Sequence, residues 1–197
     1  MPVFALIRTG RKIAAKLFIA SVAPLALLVP AHPADEAALW QAIRTGEAFA
    51  ILRHELAPGT GDPGNFAIGD CTTQRNLDDT GRRRAAASGN RFRENGIKRA
   101  DVYSSQWCRC RETAALIGLG EVRDLPALNS FYENYEVSVS QTNELKQWLG
   151  ARSPGAPLIL VSHQVNIRVL TGRSTRTGEI VVGRLGADGK ISVLGSL

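Results

Sequence analysis

Residues 49–64 read FAILRHELAPGTGDPG. Phe49, Ala50, Ile51 and Leu52 form an unbroken apolar run, the pattern of a strand buried on both faces. The run stops at Arg53-His54-Glu55, where a cation, an imidazole and a carboxylate stand side by side, and the Gly/Pro loop that follows offers no core to hide them. A strand that ends this way presents its polar groups to something. A second stretch repeats the design: LILVSHQ, residues 158–164, is again an apolar run that closes on a histidine.

The rest of the chain supplies the elements around these two strands. DEAALWQAIRTG predicts a short helix capped by Asp35, with Leu39, Trp40 and Ile43 as its apolar stripe and Gly46 as its end. A loop rich in Gly, Pro, Asp and Thr runs over residues 57–76, long enough to suggest function. LDDTGRRRAAASGNRFRENGI predicts a helix capped by Asp78, burying Ala85, Gly89 and Phe92 and leaving Arg82, Arg83 and Arg84 in solvent. DVYSS, EVRDLPAL and PLILVSH read as strands. QWCRCRETAALIGLG, with Ser105 as cap, QTNELKQWLG and QVNIRVLTG read as helices, and the tail is a hairpin turning at Asp188-Gly189. Helices alternating with continuously apolar strands predict a three-layer α/β/α sandwich around a mostly parallel, doubly wound sheet, closed by a C-terminal β-hairpin. In such sheets ligands bind beyond the carboxyl ends of strands where the chain order reverses, so His54 and His163 are expected to share one crevice.

The first 31 residues stand apart. Arg8, Arg11, Lys12 and Lys16 precede the apolar segment Leu17–Val29, and VPA offers small residues for cleavage after Ala31, which together read as a secretory signal peptide. An apolar segment this short, broken by Pro24, does not reach the ~20 residues a membrane span requires. Residues 32–197 then form one domain, periplasmic or secreted, with no membrane span. The whole chain carries a formal charge of +6, but removing those four from its 24 basic residues leaves 20 against 18 acidic ones. A nucleic-acid partner loses its electrostatic support. Of the three cysteines, Cys108 and Cys110 are too close in sequence to bridge easily, so in an oxidising compartment Cys71 is expected to pair with Cys108 or Cys110, with Cys108 favoured; three buried free thiols are the alternative.

The residue types narrow the chemistry. Two histidines without an Asp or Cys at ligand spacing make a poor zinc set. No G-x-S-x-G nucleophile elbow is present, and no cysteine is followed six residues later by an arginine. An anion site remains, because Arg53 flanks His54 and Arg109 opens a helix directly after a strand, where guanidinium forks and helix N–H groups suit phosphate.

LRH, YSSQWCRCRETA and LVSHQ, taken in this order, resemble the histidine phosphatase superfamily, in the branch that includes the phosphoglycerate mutases; RNLDDTG is similar to the segment that opens its first large helix. The resemblance covers nearly all of residues 32–197 and implies a phosphoglycerate mutase-like fold and a phosphomonoester hydrolase that needs no metal or other cofactor. It implies that His54 is the nucleophile forming a phosphohistidine, that Arg53 and Arg109 grip phosphate, and that His163 is the second histidine of the phosphate pocket. Arg75 and Asn76 are expected to help orient substrate. Two positions depart from the family pattern. Glu55 stands where a glycine is usual, and Ser130, in ALNSFYENYE, stands where a proton-donating glutamate is expected, which leaves Glu133 or Glu55 to protonate the leaving group, or a leaving group good enough to need no proton. The substrate expected from the compartment is a sugar phosphate or similar phosphorylated compound, or equally a phosphoprotein. A non-catalytic phosphate-binding module of the same fold is the alternative function.

Overall fold

The computed structural model describes residues 1–3, 35–153 and 155–197. The chain divides into two units, Met1–His32 and Pro33–Leu197, and every element below belongs to the second. The expected leader and its cleavage point after Ala31 lie outside the described residues.

Helix α1 (Glu36–Arg44) leads into strand β1 (Phe49–Arg53). The chain continues through α2 (Asp79–Glu94), β2 (Asp101–Ser104), α3 (Cys108–Ile117), β3 (Val122–Asp124), α4 (Ser138–Gly150), β4 (Leu158–Ser162) and α5 (Gln164–Thr171), and ends in the hairpin β5 (Ile180–Leu185) and β6 (Ile191–Ser196). The six strands among the described residues form one sheet in the order β3-β2-β4-β1-β5-β6. The first four run parallel, and β5 and β6 are antiparallel. The mixed α/β fold expected from the alternation of helices and apolar strands is therefore present, C-terminal hairpin included.

The unbroken apolar runs arise because alternate side chains enter two different cores. Ala50 and Leu52 of β1, with Ile159 and Val161 of β4, meet Ile43, Phe92, Ala114 and Ile117 from α1, α2 and α3. Phe49 and Ile51, with Leu158 and Leu160, meet Leu145, Ile167 and Leu170 from α4 and α5. Each Val, Leu, Ile or Phe among them contributes about 1.5–3 kcal/mol of transfer free energy when buried in full, so both helix layers are held against the sheet by apolar burial.

Helix α2 comes so close to its neighbours that two positions require glycine. A Cβ on Gly89 would fall 2.1 Å from the Ile117 carbonyl oxygen at the end of α3, and one on Gly81 would fall 2.2 Å from the Leu56 carbonyl oxygen just after β1. The Asp78 carboxylate caps this helix by accepting from the Gly81 N–H, and Arg82, Arg83 and Arg84 are exposed.

Several element ends differ from the sequence reading. Asp35 precedes α1 but makes no side-chain capping bond. Trp107, not Ser105, is the N-cap of α3; Ser105 Oγ instead accepts from the Trp107 N–H at 3.3 Å. The strand expected over EVRDLPAL is confined to β3, because Pro126 supplies no N–H for a ladder and begins a 3₁₀ turn, Pro126–Leu128. Helix α4 begins at Ser138, three residues before the expected start. Among the described residues no helix is long and apolar enough to cross a membrane.

Candidate active site

Strands β1 and β4 are parallel neighbours with Arg53 opposite Ser162. The next residue on each is a histidine, so the sheet itself sets His54 beside His163. The His54 N–H extends the ladder by one bond, to the Ser162 carbonyl at 2.9 Å, and the two rings lie 5.5 Å apart between centroids. Beyond them opens a cavity of about 390 Å³ lined by Arg53, His54, Arg75, Arg109, Glu133 and His163, among others. Six of the residues singled out in the sequence thus meet at one place.

The tautomer of His54 follows from its partners. Nδ1 is 2.8 Å from the backbone carbonyl oxygen of Glu55, which can only accept, so Nδ1 carries the proton. Nε2 then holds a lone pair, and Arg109 Nε donates to it at 3.3 Å. The ring is buried. Burial first, and then the nearby cations Arg109, Arg53 and Arg75, outweigh the Glu55 carbonyl and lower its pKa to about 3. His54 is therefore a neutral imidazole with a nucleophilic nitrogen at physiological pH.

His163 is fixed from behind. Its Nε2 lies 2.8 Å from Ser105 Oγ and 3.4 Å from the thiol of Cys110. Burial, then the charges of its neighbours, hold its pKa well below the usual histidine value. Cys110 is fully buried, and burial pushes its thiol up to about 12. A thiol in that state is no nucleophile.

Three guanidinium groups surround the cavity. Arg53 Nη1 donates to the Thr175 carbonyl at 3.1 Å, while its buried Nε has no acceptor among the described residues. Burial and then Arg109 lower the Arg53 pKa. Arg75 Nε donates to the Gly61 carbonyl at 2.8 Å, and its Nη1 to that of Ala57. Arg109 is paired with Asp62: Nη1 to Oδ1 is 2.7 Å and Nη2 to Oδ2 is 3.1 Å. Asp62 also accepts from the Arg75 N–H and from Trp107 Nε1, each at 3.0 Å. Burial works to raise its carboxyl pKa, but the hydrogen bonds from Arg109, Arg75 and Trp107 win and hold it below the usual carboxylate range. An ionised Asp62 is no proton donor.

Three expectations are corrected. Asn76 does not line the cavity; its Nδ2 donates to the carbonyls of Cys71 and Gln74, so it organises its own loop. Glu55 turns away from the cavity toward α2, where Ser88 Oγ lies 3.4 Å from its Oε1. It cannot reach a leaving group. The first N–H of α3, on Cys108, is taken by Gln74 Oε1 at 2.9 Å; the helix whose start faces the cavity is α5, through Gln164 and Val165. Glu133 does line the cavity, as does Ser130, and Glu133 Oε1 comes within 4.0 Å of the Cβ position on Gly61 across the mouth. Asp62 and Ser105 were not foreseen as site residues. Asp62 stands in the Gly/Pro/Asp-rich loop flagged for function, but composition does not say which acid points inward.

Cys71 and Cys108 are joined in a disulfide and Cys110 is free. The bridge ties the loop carrying Asp62 and Arg75 to the residue before Arg109. A larger groove, about 630 Å³, lies at the opposite, amino ends of β1 and β4. Among the described residues no histidine lines it, and His54 and His163 are both at the carboxyl ends. Among the described residues no cluster of three or more His, Cys, Asp or Glu is placed to hold a metal ion.

Comparison with known proteins agrees with this fold. The model of the histidine phosphatase superfamily (branch 1) matches residues 70–133. No curated protein matches the chain significantly by sequence. Solved structures share the fold. The protein histidine phosphatase SixA in complex with tungstate superposes with a TM-score of 0.51 at 18% identity, covering 76% of this chain and 96% of its own. An Entamoeba histolytica phosphoserine phosphatase with phosphoserine gives 0.55 at 16%, covering 76% and 95%. A mycobacterial glucosyl-3-phosphoglycerate phosphatase gives 0.54 at 13%, covering 75% and 96%.

Proposed function

We propose that this chain is a member of the histidine phosphatase superfamily that hydrolyses phosphate monoesters through a phosphohistidine on His54, without a metal, in an oxidising compartment outside the cytoplasm. The observation that carries the reading is the adjacency of a neutral, Nδ1-protonated His54 and His163 at one cavity ringed by Arg53, Arg75 and Arg109.

His54 Nε2 attacks phosphorus in line with the departing oxygen, so the N–P bond forms as the P–O bond breaks. Arg53 and Arg109 hold the equatorial oxygens, and charge spread over those oxygens is stabilised by cations that are already in place. The Arg109 side edge that donates to His54 Nε2 in the free protein turns to the phosphoryl oxygens once that lone pair is spent on phosphorus. Glu133 protonates the leaving alkoxide, then takes a proton from the water that attacks the phosphohistidine; N–P cleavage releases inorganic phosphate. Splitting one displacement into two lowers each barrier.

The structural relatives named above act on a phosphohistidine protein, phosphoserine and a glucosyl phosphoglycerate. Their leaving groups share only the phosphoryl group. A polar cavity mouth with Thr60, Asn134 and Gln164 beside the aromatic Phe66, Trp107 and Tyr132 suits a sugar phosphate. The basic-then-apolar leader and the Cys71–Cys108 disulfide both support export to the periplasm.

The test is hydrolysis of para-nitrophenyl phosphate by the purified chain in the presence of a chelator. Turnover that His54→Ala abolishes supports the reading. Turnover that the variant retains, or binding of phosphate with no turnover by either protein, overturns it, the latter in favour of a phosphate-binding module.

A further inference from the structure

We propose that Asp62 is a positioning residue for the transfer step, holding Arg109 from behind so that its free edge faces the phosphoryl group. The inference rests on the phosphatase reading above.

A guanidinium has two edges that can grip an anion with two parallel hydrogen bonds: the end edge, made by Nη1 and Nη2, and the side edge, made by Nε and Nη2. Asp62 occupies the end edge of Arg109, at 2.7 and 3.1 Å. The side edge is turned to the nucleophile, with Nε 3.3 Å from His54 Nε2. A phosphoryl group presented to that nitrogen meets the side edge of Arg109, and the carboxylate does not stand in its way.

Asp62 is itself held through both carboxylate oxygens. Its Oδ1 accepts from the Arg75 backbone N–H and its Oδ2 from the Trp107 indole. The side chains of Asp62 and Arg109 are 10% and 4% exposed, so the pair is shielded from the water and salt that weaken surface ion pairs. One carboxylate thus fixes the angle of Arg109, anchors the Arg75 backbone and lowers the positive charge of a cavity that holds three arginines. A misplacement of about 1 Å in such a group costs on the order of 10²-fold in rate.

Asp62→Asn keeps the shape and an oxygen to accept from Arg75 or Trp107, but gives up the charge that grips Arg109; Asp62→Glu keeps the charge and serves if the first variant folds poorly. The measurements are kcat and KM for para-nitrophenyl phosphate, the Kd for inorganic phosphate by calorimetry, and the thermal midpoint, each in wild-type and Arg109→Ala backgrounds. The expected result is a fall in kcat/KM of about 10²-fold for Asp62→Asn, carried mostly by kcat, a weaker phosphate Kd, partial recovery in Asp62→Glu, and no further loss when Arg109 is already alanine. Equal losses in the two backgrounds would mean a merely structural role and overturn the proposal. Tighter phosphate binding by Asp62→Asn would mean that the carboxylate competes with phosphate, and overturns it too. If the wild type lacks turnover, the hydrolase reading fails, and the phosphate Kd of the Asp62 variants in the two backgrounds still decides whether Asp62 acts through Arg109.

Discussion

Arg109 Nε lies 3.3 Å from His54 Nε2, so the second residue of α3 and the residue that follows β1 present a cation and a lone pair to the same point. The cation disfavours protonation of the imidazole and is itself in place for the phosphoryl oxygens. In the proposed reaction both effects favour nucleophilic attack by His54, and both are measurable.

His54 is expected to stay neutral in the free protein as pH falls through 6.5, because burial and three arginines lower its pKa to about 3. Imidazole ¹⁵N shifts should report an Nδ1–H tautomer at pH 5; an imidazolium signal there contradicts the account. Linkage fixes the sign for stability. The unfolded chain takes up a proton near pH 6.5 and the folded one does not until about pH 3, so the stabilisation is complete above 6.5 and is lost as pH falls toward 3. His163 is lowered in the same direction. At about 1.4 kcal/mol per pKa unit, the loss reaches a few kcal/mol by pH 4 in denaturant titrations, and His54→Ala should flatten the slope.

Glu133→Gln should separate substrates by their leaving groups. An alkyl phosphate needs a proton on its departing oxygen, and loss of a general acid costs about 10²–10⁴-fold in kcat. A dinitrophenyl phosphate does not need that proton and should lose little in the formation of the phosphoenzyme, measured as the burst. Equal losses for both substrates would remove Glu133 from the role.

Breaking the Cys71–Cys108 bridge frees a segment 37 residues apart at its ends. Chain entropy alone puts the cost near about 4 kcal/mol. Cys71→Ser should lower the thermal midpoint accordingly, and because the loop carries Asp62 and Arg75, it should weaken phosphate binding as well. An unchanged midpoint in non-reducing buffer would show that the bridge does not constrain the fold.

Gly89→Ala should destabilise the protein by about 1–3 kcal/mol, the usual cost of forcing atoms into a packed contact. The new methyl would sit 2.1 Å from the Ile117 carbonyl oxygen, a backbone atom with no rotamer to change. An increase in stability, as expected for Gly to Ala in an open helix, would mean that α2 and α3 are further apart than described.

Much of the fold was legible because burial on both sheet faces leaves a plain mark: the apolar runs of β1 and β4 split residue by residue between two cores. The same strands betrayed the site, since each ends on a histidine. Less legible were features set by contacts distant in sequence. Composition marks the 57–76 loop as unusual, but only folding sends Asp62 to Arg109 and Asn76 back to its own loop carbonyls. Glu55 follows His54 directly, yet strand alternation turns it to the opposite side, toward Ser88. The cap of α3 was misplaced because Ser105 is a good capping residue whose hydroxyl instead serves His163 and the Trp107 N–H.

The central claim is a covalent bond between His54 Nε2 and phosphorus. Rapid acid-free quenching of the protein during turnover of a ³²P-labelled aryl phosphate, followed by peptide mapping, tests it directly. The account predicts an acid-labile, base-stable label on the peptide containing His54, absent from His54→Ala. Steady turnover with no label on that peptide, or label on another residue, would contradict it.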